Sequence, residues 1–373
     1  MSGPLTDLTV VEMAAIGPVP LAGQLLADLG ASVIIIDKAS ATQQSEDINR
    51  RGKQSIALNL KNPKGREILL QLISRTDVLL EGFRPGVMEK LGLGPDDCEK
   101  INNGLIYGRM TGWGQTGPLS NTAGHDINYL AITGALHAIG KNGEPPVPPL
   151  NLVADYAGGT MFLVMGVLAA LQERNQSGAG QVIDAAMMEG VPSMMGLVQT
   201  LYQQGHWQQT RQSNMLDGGA PYYRCYTTSD DRAIAVGAIE AKFFKEFLHL
   251  AGLPESDLSI QNDQDQWPQM HKRYEKHFRE KSRDEWKKIF DGSDACVAPV
   301  LDFEEAPQHP HNKSRQVFVG DSYQAMPAPK FSRSSESEPA SPIAAGSSAD
   351  ELLEKLGYSA EQLKQLKDQG IIT

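Results

Sequence analysis

Four titratable residues occupy positions from which they could move protons. His125 and Asp126 follow a glycine in the stretch AGHDINYLAITGALHAIG, residues 123–140, at the head of an apolar helical pattern. Titratable groups at a buried helix start are costly unless something uses them, and free backbone N–H groups and the positive helix dipole also lie there. Asp155, in NLVADYAGGTMF, likewise precedes a helical pattern, where its ordinary role is that of an N-cap. Glu240 ends a β-type run in VGAIEAKF, where an exposed strand end is the simpler interpretation.

A cationic stretch lies between residues 48 and 66, which contain no acidic residue. In an acidic protein such a stretch could hold a polyphosphate by charge-assisted hydrogen bonds. A solvated face is the simpler interpretation, and composition alone favours it. The basic residues are Arg50, Arg51, Lys53, Lys61, Lys64 and Arg66.

The stretch GWGQTG, residues 112–117, matches the G-x-G-x-x-G pattern of dinucleotide-binding loops. That function needs a helix to begin at the glycines, so that its N-terminus meets the pyrophosphate. Pro118 and the loop-like LSNTAG follow instead. The glycines are therefore predicted to shape a turn.

The elements that carry these residues alternate between strand and helix over the first 120 residues. LTVVEM, SVIIID, SIALNL, DVLLEGF and LIYGRMT are typical of strands, and amphipathic helical patterns separate several of them. This alternation indicates βαβ units and a parallel sheet covered by helices. Residues 126–210 are mainly helical in pattern, with QVIDAAM as a candidate strand, and a hairpin signal follows near residue 220.

Composition excludes several classes of protein. The net charge of -11 over 373 residues argues against a dedicated nucleic-acid binder. The three cysteines fit neither a metal-ligand spacing nor a disulfide framework, which favours a reducing compartment. The N-terminus lacks the pattern of a signal peptide, and the apolar run of residues 161–171 is too short to span a bilayer. We therefore expect a cytoplasmic protein without a membrane or nucleic-acid partner.

Several longer motifs are specific enough to indicate a family. EGFRPGVMEKLGLG, RMTGWGQTGP, AGHDINY, PPLNLVADYAGG, NMLDGGAPYY, VGAIE and PAPKFSRS resemble the α-methylacyl-CoA racemases of the family III CoA-transferase (CaiB/BaiF) superfamily. The chain departs from that pattern in TSDDRAI, where a glycine is expected, and at Lys38 and Lys90, where arginine is commoner.

The resemblance implies an α/β fold with a Rossmann-like, parallel-sheet large domain and a smaller α+β domain. Residues 1–222 would form the large, CoA-binding domain and residues 223–320 the small domain. Residues 321–373 would be a linker and a C-terminal segment that returns to the large domain. Two chains would form an interlocked homodimer in which each small domain covers the partner's active site.

The resemblance also implies roles for individual residues. His125 and Asp155 would be the two acid/base groups, and Glu240 would orient or charge-balance His125. The chemistry adds that the Gly124–His125–Asp126 junction could supply a backbone N–H group to the enolate oxygen, and that burial beside Asp126 would raise the pKa of Asp155. The residues that would contact CoA or its thioester are Lys38, Leu58, Asn59, Leu60, Lys61, Gly82, Phe83, Arg84, Lys90, Gly124, Ile127, Asn128 and Tyr129.

The activity implied is the interconversion of (2R)- and (2S)-2-methylacyl-CoA by 1,1-proton transfer through an enolate. The implied activity needs no metal or other cofactor, and CoA counts as part of the substrate. One alternative is a family III CoA-transferase, in which the aspartate at Asp155 attacks the acyl group and forms an aspartyl anhydride. Another is a non-enzymatic acyl-CoA carrier, which has no use for opposed acid/base groups.

Overall fold

A six-stranded parallel sheet organises the first half of the chain. The computed structural model describes residues 3–41, 46–334 and 338–373. The sheet order is β3-β2-β1-β4-β5-β6, with every neighbouring pair parallel. Since the order reverses between β1 and β4, a crevice opens outside the carboxyl ends of these strands. The strands are β1 (Thr9–Met13), β2 (Ser32–Lys38), β3 (Gln54–Leu58), β4 (Val78–Glu81), β5 (Ile106–Thr111) and β6 (Val182–Ala186).

Helices cover both faces of this sheet. Side chains alternate along each strand, so that Val10 belongs to one buried apolar cluster and Val11 to another on the opposite face. A π-helix, Leu152–Thr160, runs directly into α6. The helices are α1 (Pro18–Asp28), α2 (Pro63–Ile73), α3 (Val87–Lys90), α4 (Pro95–Glu99), α5 (Asp126–Ile132), α6 (Met161–Ser177), α7 (Met187–Met194) and α8 (Gly196–Gln203). This architecture confirms the predicted α/β fold.

The continuous helical segment Leu152–Ser177 is longer than the apolar run that the sequence displays. By length and composition alone it is long and apolar enough to cross a membrane, although 33% of its most apolar window is buried inside the protein. On its sequence, the apolar run of residues 161–171 is too short to span a bilayer. For the whole helical segment that expectation was wrong, because the π-helix lengthens the segment at its N-terminal end. A core helix of a water-soluble protein meets the same criteria, and this segment packs on α1, β5 and β6.

A second, antiparallel sheet follows in the order β7-β8-β9. Its strands are β7 (Tyr223–Thr227), β8 (Ala233–Gly237) and β9 (Val297–Pro299), and its helices are α9 (Ala241–Ala251), α10 (Trp267–Phe278) and α11 (Arg283–Phe290). An aromatic cluster that includes Phe247, Phe278 and Trp286 fills the space between them. The predicted hairpin is confirmed, and Asp231 takes a positive φ of 57° in the turn where the resemblance led us to expect glycine.

The final segment packs against the parallel sheet. It contains α13 (Ala349–Lys355) and α14 (Ala360–Asp368), whereas α12 (Pro310–Ser314) precedes it within the range predicted for the small domain. Residues 335–337 of the predicted linker lie outside the described residues. The Ser348 N–H group donates to Ser55 O at 2.9 Å, and the Asn59 N–H group donates to Ile371 O at 2.9 Å. The segment therefore covers the outer side of β3.

Candidate active site

The head of α5 presents His125 to solvent beside a buried carboxylate. Helix α5 begins at Asp126 with His125 as its N-cap, which confirms the predicted helix start. The Asn128 side-chain oxygen accepts a hydrogen bond from the His125 N–H group at 3.1 Å and fixes the cap. The His125 side chain is exposed, whereas Asp126 retains 6% of its accessible surface.

The Asp126 carboxylate joins the head of α5 to the π-helix. Its Oδ2 atom accepts hydrogen bonds from the backbone N–H groups of Ala154 and Asp155, each at 2.8 Å. Its Oδ1 atom is buried and has no hydrogen-bond partner among the described residues. The carboxylate thereby fixes the backbone of Asp155 relative to His125.

Asp155 lies inside the π-helix and is therefore not the N-cap that its sequence context predicted. Burial raises the pKa of its carboxyl group, as does the negative charge of Asp126, while a hydrogen bond from Asn151 and the proximity of His125 act in the opposite direction. A Cβ atom placed on Gly17 would lie 3.5 Å from Asp155 Oδ2. Gly17 lies in the connection between the end of β1 and the start of α1. Asp155 therefore faces the carboxyl end of β1.

The buried ring of Tyr129 lies near Asp155. Its hydroxyl group donates to Gly124 O, and its ring meets Trp113 edge-on at a centroid distance of 4.7 Å. A Cβ atom on Gly112 would lie 2.0 Å from the ring, which explains the need for glycine there. Burial raises the pKa of Tyr129, the charge of Asp155 raises it further, and Arg84 lowers it. Tyr129, Asp155 and Arg84 are thus close enough to interact electrostatically.

The loop after β5 does not form a nucleotide-binding motif. Residues 112–125 contain no helix, and Gly114 and Gly117 have positive φ values of 87° and 93°. The prediction that these glycines shape a turn is confirmed.

The remaining residues assigned to CoA lie along the carboxyl edge of the sheet. Lys38 ends β2, Leu58 ends β3 and residues 59–61 follow it, and residues 82–84 follow β4. Lys61, Arg84 and Lys90 are exposed, whereas Leu58 is buried. Ligands of open parallel sheets bind at this edge, so the position of these residues is compatible with a bound CoA.

The cationic stretch is mostly engaged elsewhere. Arg50, Arg51 and Lys53 form buried ion pairs with Asp37, Asp28 and Glu12, each at 2.6 Å. Desolvation raises the pKa of Glu12 to about 7, although Lys53 acts against it. The sequence left two interpretations open for this stretch, a polyphosphate site and a solvated face. For Arg50, Arg51 and Lys53 both are wrong, because these side chains are paired with carboxylates inside the protein.

Glu240 lies apart from the other candidate residues. It is exposed and precedes α9 as its N-cap. Burial raises the pKa of Cys296, and the nearby charge of Glu240 raises it further. Within the described part of one chain, no hydrogen bond or ion pair joins Glu240 to His125 or Asp155.

Sequence reasoning missed a buried ionic group that borders the site. Glu81 is fully buried at the end of β4 and accepts a hydrogen bond from Arg109 Nε at 2.9 Å. Arg109 Nη1 also donates to Glu89 Oε1 at 2.7 Å. The available signal was a charge within each of two apolar strand patterns, at the end of DVLLE and inside LIYGRMT.

Among residues 3–41, 46–334 and 338–373, no group of three or more His, Cys, Asp or Glu side chains is placed to hold a metal ion. Cys98, Cys225 and Cys296 are free thiols.

Comparison with known proteins confirms the resemblance of the motifs. A model of CoA-transferase family III matches residues 5–345. Alpha-methylacyl-CoA racemase of Mus musculus is 45% identical over 376 residues, covering 99% of this chain and 97% of its own. The Homo sapiens alpha-methylacyl-CoA racemase is 43% identical over 378 residues, with the same coverage of 99% and 97%. A solved CaiB/BaiF family protein from Brucella suis shares the fold, with a TM-score of 0.81 at 23% identity over 95% of this chain and 100% of that one. The chain therefore belongs to CoA-transferase family III.

Proposed function

We propose that this protein is an α-methylacyl-CoA racemase that interconverts (2R)- and (2S)-2-methylacyl-CoA thioesters. The observation that carries the proposal is the tether from Asp126 to the backbone of Asp155, which sets a carboxyl group beside the helix that His125 caps. Two full-length relatives named alpha-methylacyl-CoA racemase support the same activity.

The reaction removes the proton from one face of C2 and adds a proton to the opposite face. One of the two groups, His125 or Asp155, removes the C2 proton and leaves an enolate, and the other returns a proton to the opposite face. For the reverse epimer the two groups exchange roles. Charge develops on the thioester oxygen, and the backbone N–H groups of Asp126 and Ile127 can stabilise it, since the first bonded N–H group of α5 is that of Asn128. Positioned acid/base groups each contribute about 10² to 10⁴ in rate.

The raised pKa of Asp155 suits this exchange. A carboxyl group must be protonated to act as an acid near neutral pH, and both burial and the charge of Asp126 favour its protonated form.

The CoA-transferase remains the second candidate, because Asp155 is a half-buried carboxyl group in a chain of this family. In that reaction the Asp155 carboxylate would attack the acyl carbon, displace the CoA thiolate and form an anhydride. Hydroxylamine would trap the anhydride, and mass spectrometry would then find the modification on Asp155. A racemase gives no such adduct.

The deciding experiment incubates one 2-methylacyl-CoA epimer in D₂O and follows the epimer ratio and deuterium at C2. We expect both to change together, and His125→Ala to slow epimerisation by at least ~10² with little change in CoA affinity. His137→Ala provides a matched control, because His137 is likewise exposed and its ring bonds the Gln209 carbonyl group at 3.0 Å. Acyl exchange with free acids, in place of epimerisation, would assign the transferase.

We also propose that the protein acts as a homodimer. Leu152, Met161, Met165 and Leu168 leave between 38% and 58% of their surface exposed along one continuous helical segment. Large apolar side chains so close together are typical of surfaces that a partner covers. We expect light scattering to give a dimer at micromolar concentration, and a stable monomer would contradict the proposal.

In that dimer, Glu240 of the partner subunit would lie beside His125 and orient its imidazole ring. The support is that Glu240 is exposed at the start of α9 and makes no bond to His125 within its own chain, among the residues described. The proposal predicts that each active site needs two chains.

A further inference from the structure

Arg109 connects the two ends of one short segment at the carboxyl edge of the sheet. Glu81 lies directly before this segment, residues 82–90, and Glu89 lies near its end. Arg109 on β5 is the registered neighbour of Glu81 on β4. Its Nε atom donates to Glu81 Oε1 at 2.9 Å, and its Nη1 and Nη2 atoms donate to Glu89 at 2.7 and 3.3 Å.

The Glu81 end of this connection is buried. Glu81 has 0% and Arg109 7% of its surface exposed. The second oxygen of Glu81 accepts a hydrogen bond from the Phe83 N–H group at 2.7 Å, so the carboxylate binds the segment directly. A buried carboxylate needs such partners, because an unpaired one would be strongly destabilising. The main chain at residues 82 and 83 is consequently fixed by the same pair of charges.

Residues 82–90 contain four of the residues assigned to CoA: Gly82, Phe83 and Arg84 lie between the two anchors, and Lys90 directly follows Glu89. We propose that Arg109, together with Glu81 and Glu89, is a positioning group that holds residues 82–90 in the conformation that receives the phosphates of CoA. The inference rests on the proposed function, since it requires that CoA binds at this edge.

The physical reason is the conformational entropy that a mobile segment would lose when CoA binds. A segment that is already ordered loses little conformational entropy when a ligand binds, whereas a mobile one must be ordered at the expense of affinity. Arginine suits the role because its planar fork reaches two carboxylates at once. A lysine ammonium offers a single point charge and cannot reproduce that geometry.

The test compares Arg109→Lys and Glu89→Gln with the wild-type protein by calorimetric titration of CoA and by steady-state epimerisation. We expect Arg109→Lys to raise the CoA dissociation constant and KM about tenfold, which corresponds to about 1.4 kcal/mol, with kcat changed less than about twofold. Glu89 is exposed, so Glu89→Gln leaves the fold intact, and we expect a rise of about threefold.

A matched control lies at the opposite ends of the same strands. Arg174 donates to Asp77 at 2.9 Å and to Gly104 O at 2.9 Å, next to the starts of β4 and β5. Arg174→Lys breaks a similar fork far from the CoA segment, so it should lower the melting temperature without raising KM.

The outcomes separate the two proposals. A wild-type protein that does not bind CoA would overturn the proposed function and this inference with it. Wild-type binding, together with unchanged CoA affinity in both Arg109→Lys and Glu89→Gln, would overturn the inference alone and leave Arg109 with a structural role. A loss of kcat in place of affinity would also overturn it, because it would assign Arg109 to the chemical step.

Discussion

The replacement of Asp126 by asparagine tests how the acid/base pair is held together. The Asp126 carboxylate accepts two backbone N–H bonds from the π-helix with one oxygen, while its other oxygen is buried without a partner among the described residues. In Asp126→Asn the amide oxygen can keep both bonds, but the amide NH₂ group then occupies the unpartnered position. The negative charge beside Asp155 disappears.

The expected effects follow from these contacts. Hydrogen bonds to a charged group contribute about 1.5 to 3 kcal/mol and neutral ones about 0.5 to 1.5, so two bonds lose about 2 kcal/mol in total. Burial, the larger cause of the raised pKa of Asp155, remains, but the contribution of the Asp126 charge is removed and the pKa falls. Because the two weaker bonds hold the Asp155 backbone less firmly, epimerisation should slow about 10- to 100-fold.

The pH dependence distinguishes a lost charge from a damaged fold. In the direction where Asp155 donates the proton, its protonated form is needed, so the alkaline limb of kcat/KM should move to lower pH. In the direction where Asp155 is the base, its ionised form is needed, so the acid limb should also move to lower pH. Both directions can be followed by deuterium uptake at C2 from each epimer.

A control variant isolates the effect of the tether itself. Asp77 likewise accepts a backbone bond from another element, the Thr9 N–H group at 2.9 Å, but at the amino edge of the sheet. Asp77→Asn should lower stability and leave the pH profile in place. If Asp126→Asn shifted neither limb, or shifted them to higher pH, the role assigned to Asp126 would be refuted.

Three further predictions follow from the site and its surroundings. Arg84→Ala should weaken CoA binding by about 1.5 to 3 kcal/mol, because a guanidinium–phosphate contact is charge-assisted, and calorimetry at two salt concentrations should show a reduced salt dependence. Co-expressed chains that carry His125→Ala and Glu240→Ala should regain activity in the mixed dimer, since one of its two sites would keep both residues; no regain would place Glu240 in the same chain's site. Glu12→Gln should lower the free energy of unfolding by about 3 to 5 kcal/mol by leaving the Lys53 charge unpaired, and adding Lys53→Met should recover part of that loss in urea titrations.

The strand pattern could be predicted because it is local. Runs such as SVIIID indicate a strand buried on both faces, and β1 to β6 all fall on the strand candidates named from the sequence. The carboxyl ends of parallel strands share one edge, so residues such as Lys38 and Arg84 come together once the alternation is recognised. The fold and the edge that carries the site were therefore accessible from sequence.

Long-range partners could not be predicted in the same way. Lys53 pairs with Glu12, which is 41 positions away, because the register of β1, β2 and β3 brings them together. The cationic stretch alone contains no sign of these partners. The π-helix around Asp155 also has no propensity signal, since it depends on the tether from Asp126 and on packing against α7.

The cover over β3 has a consequence for how the protein is made. β3 is an edge strand, and residues 346–372 supply its outer contacts, including the pairing of Leu58 with Ile372. During translation roughly 15 to 60 s separate the synthesis of these two residues, at elongation rates of about 5 to 20 residues per second. For that interval the edge is open to other chains, since an uncovered strand edge is a template for aggregation. Nascent chains stalled before residue 346 should accordingly recruit chaperones, whereas released chains should not.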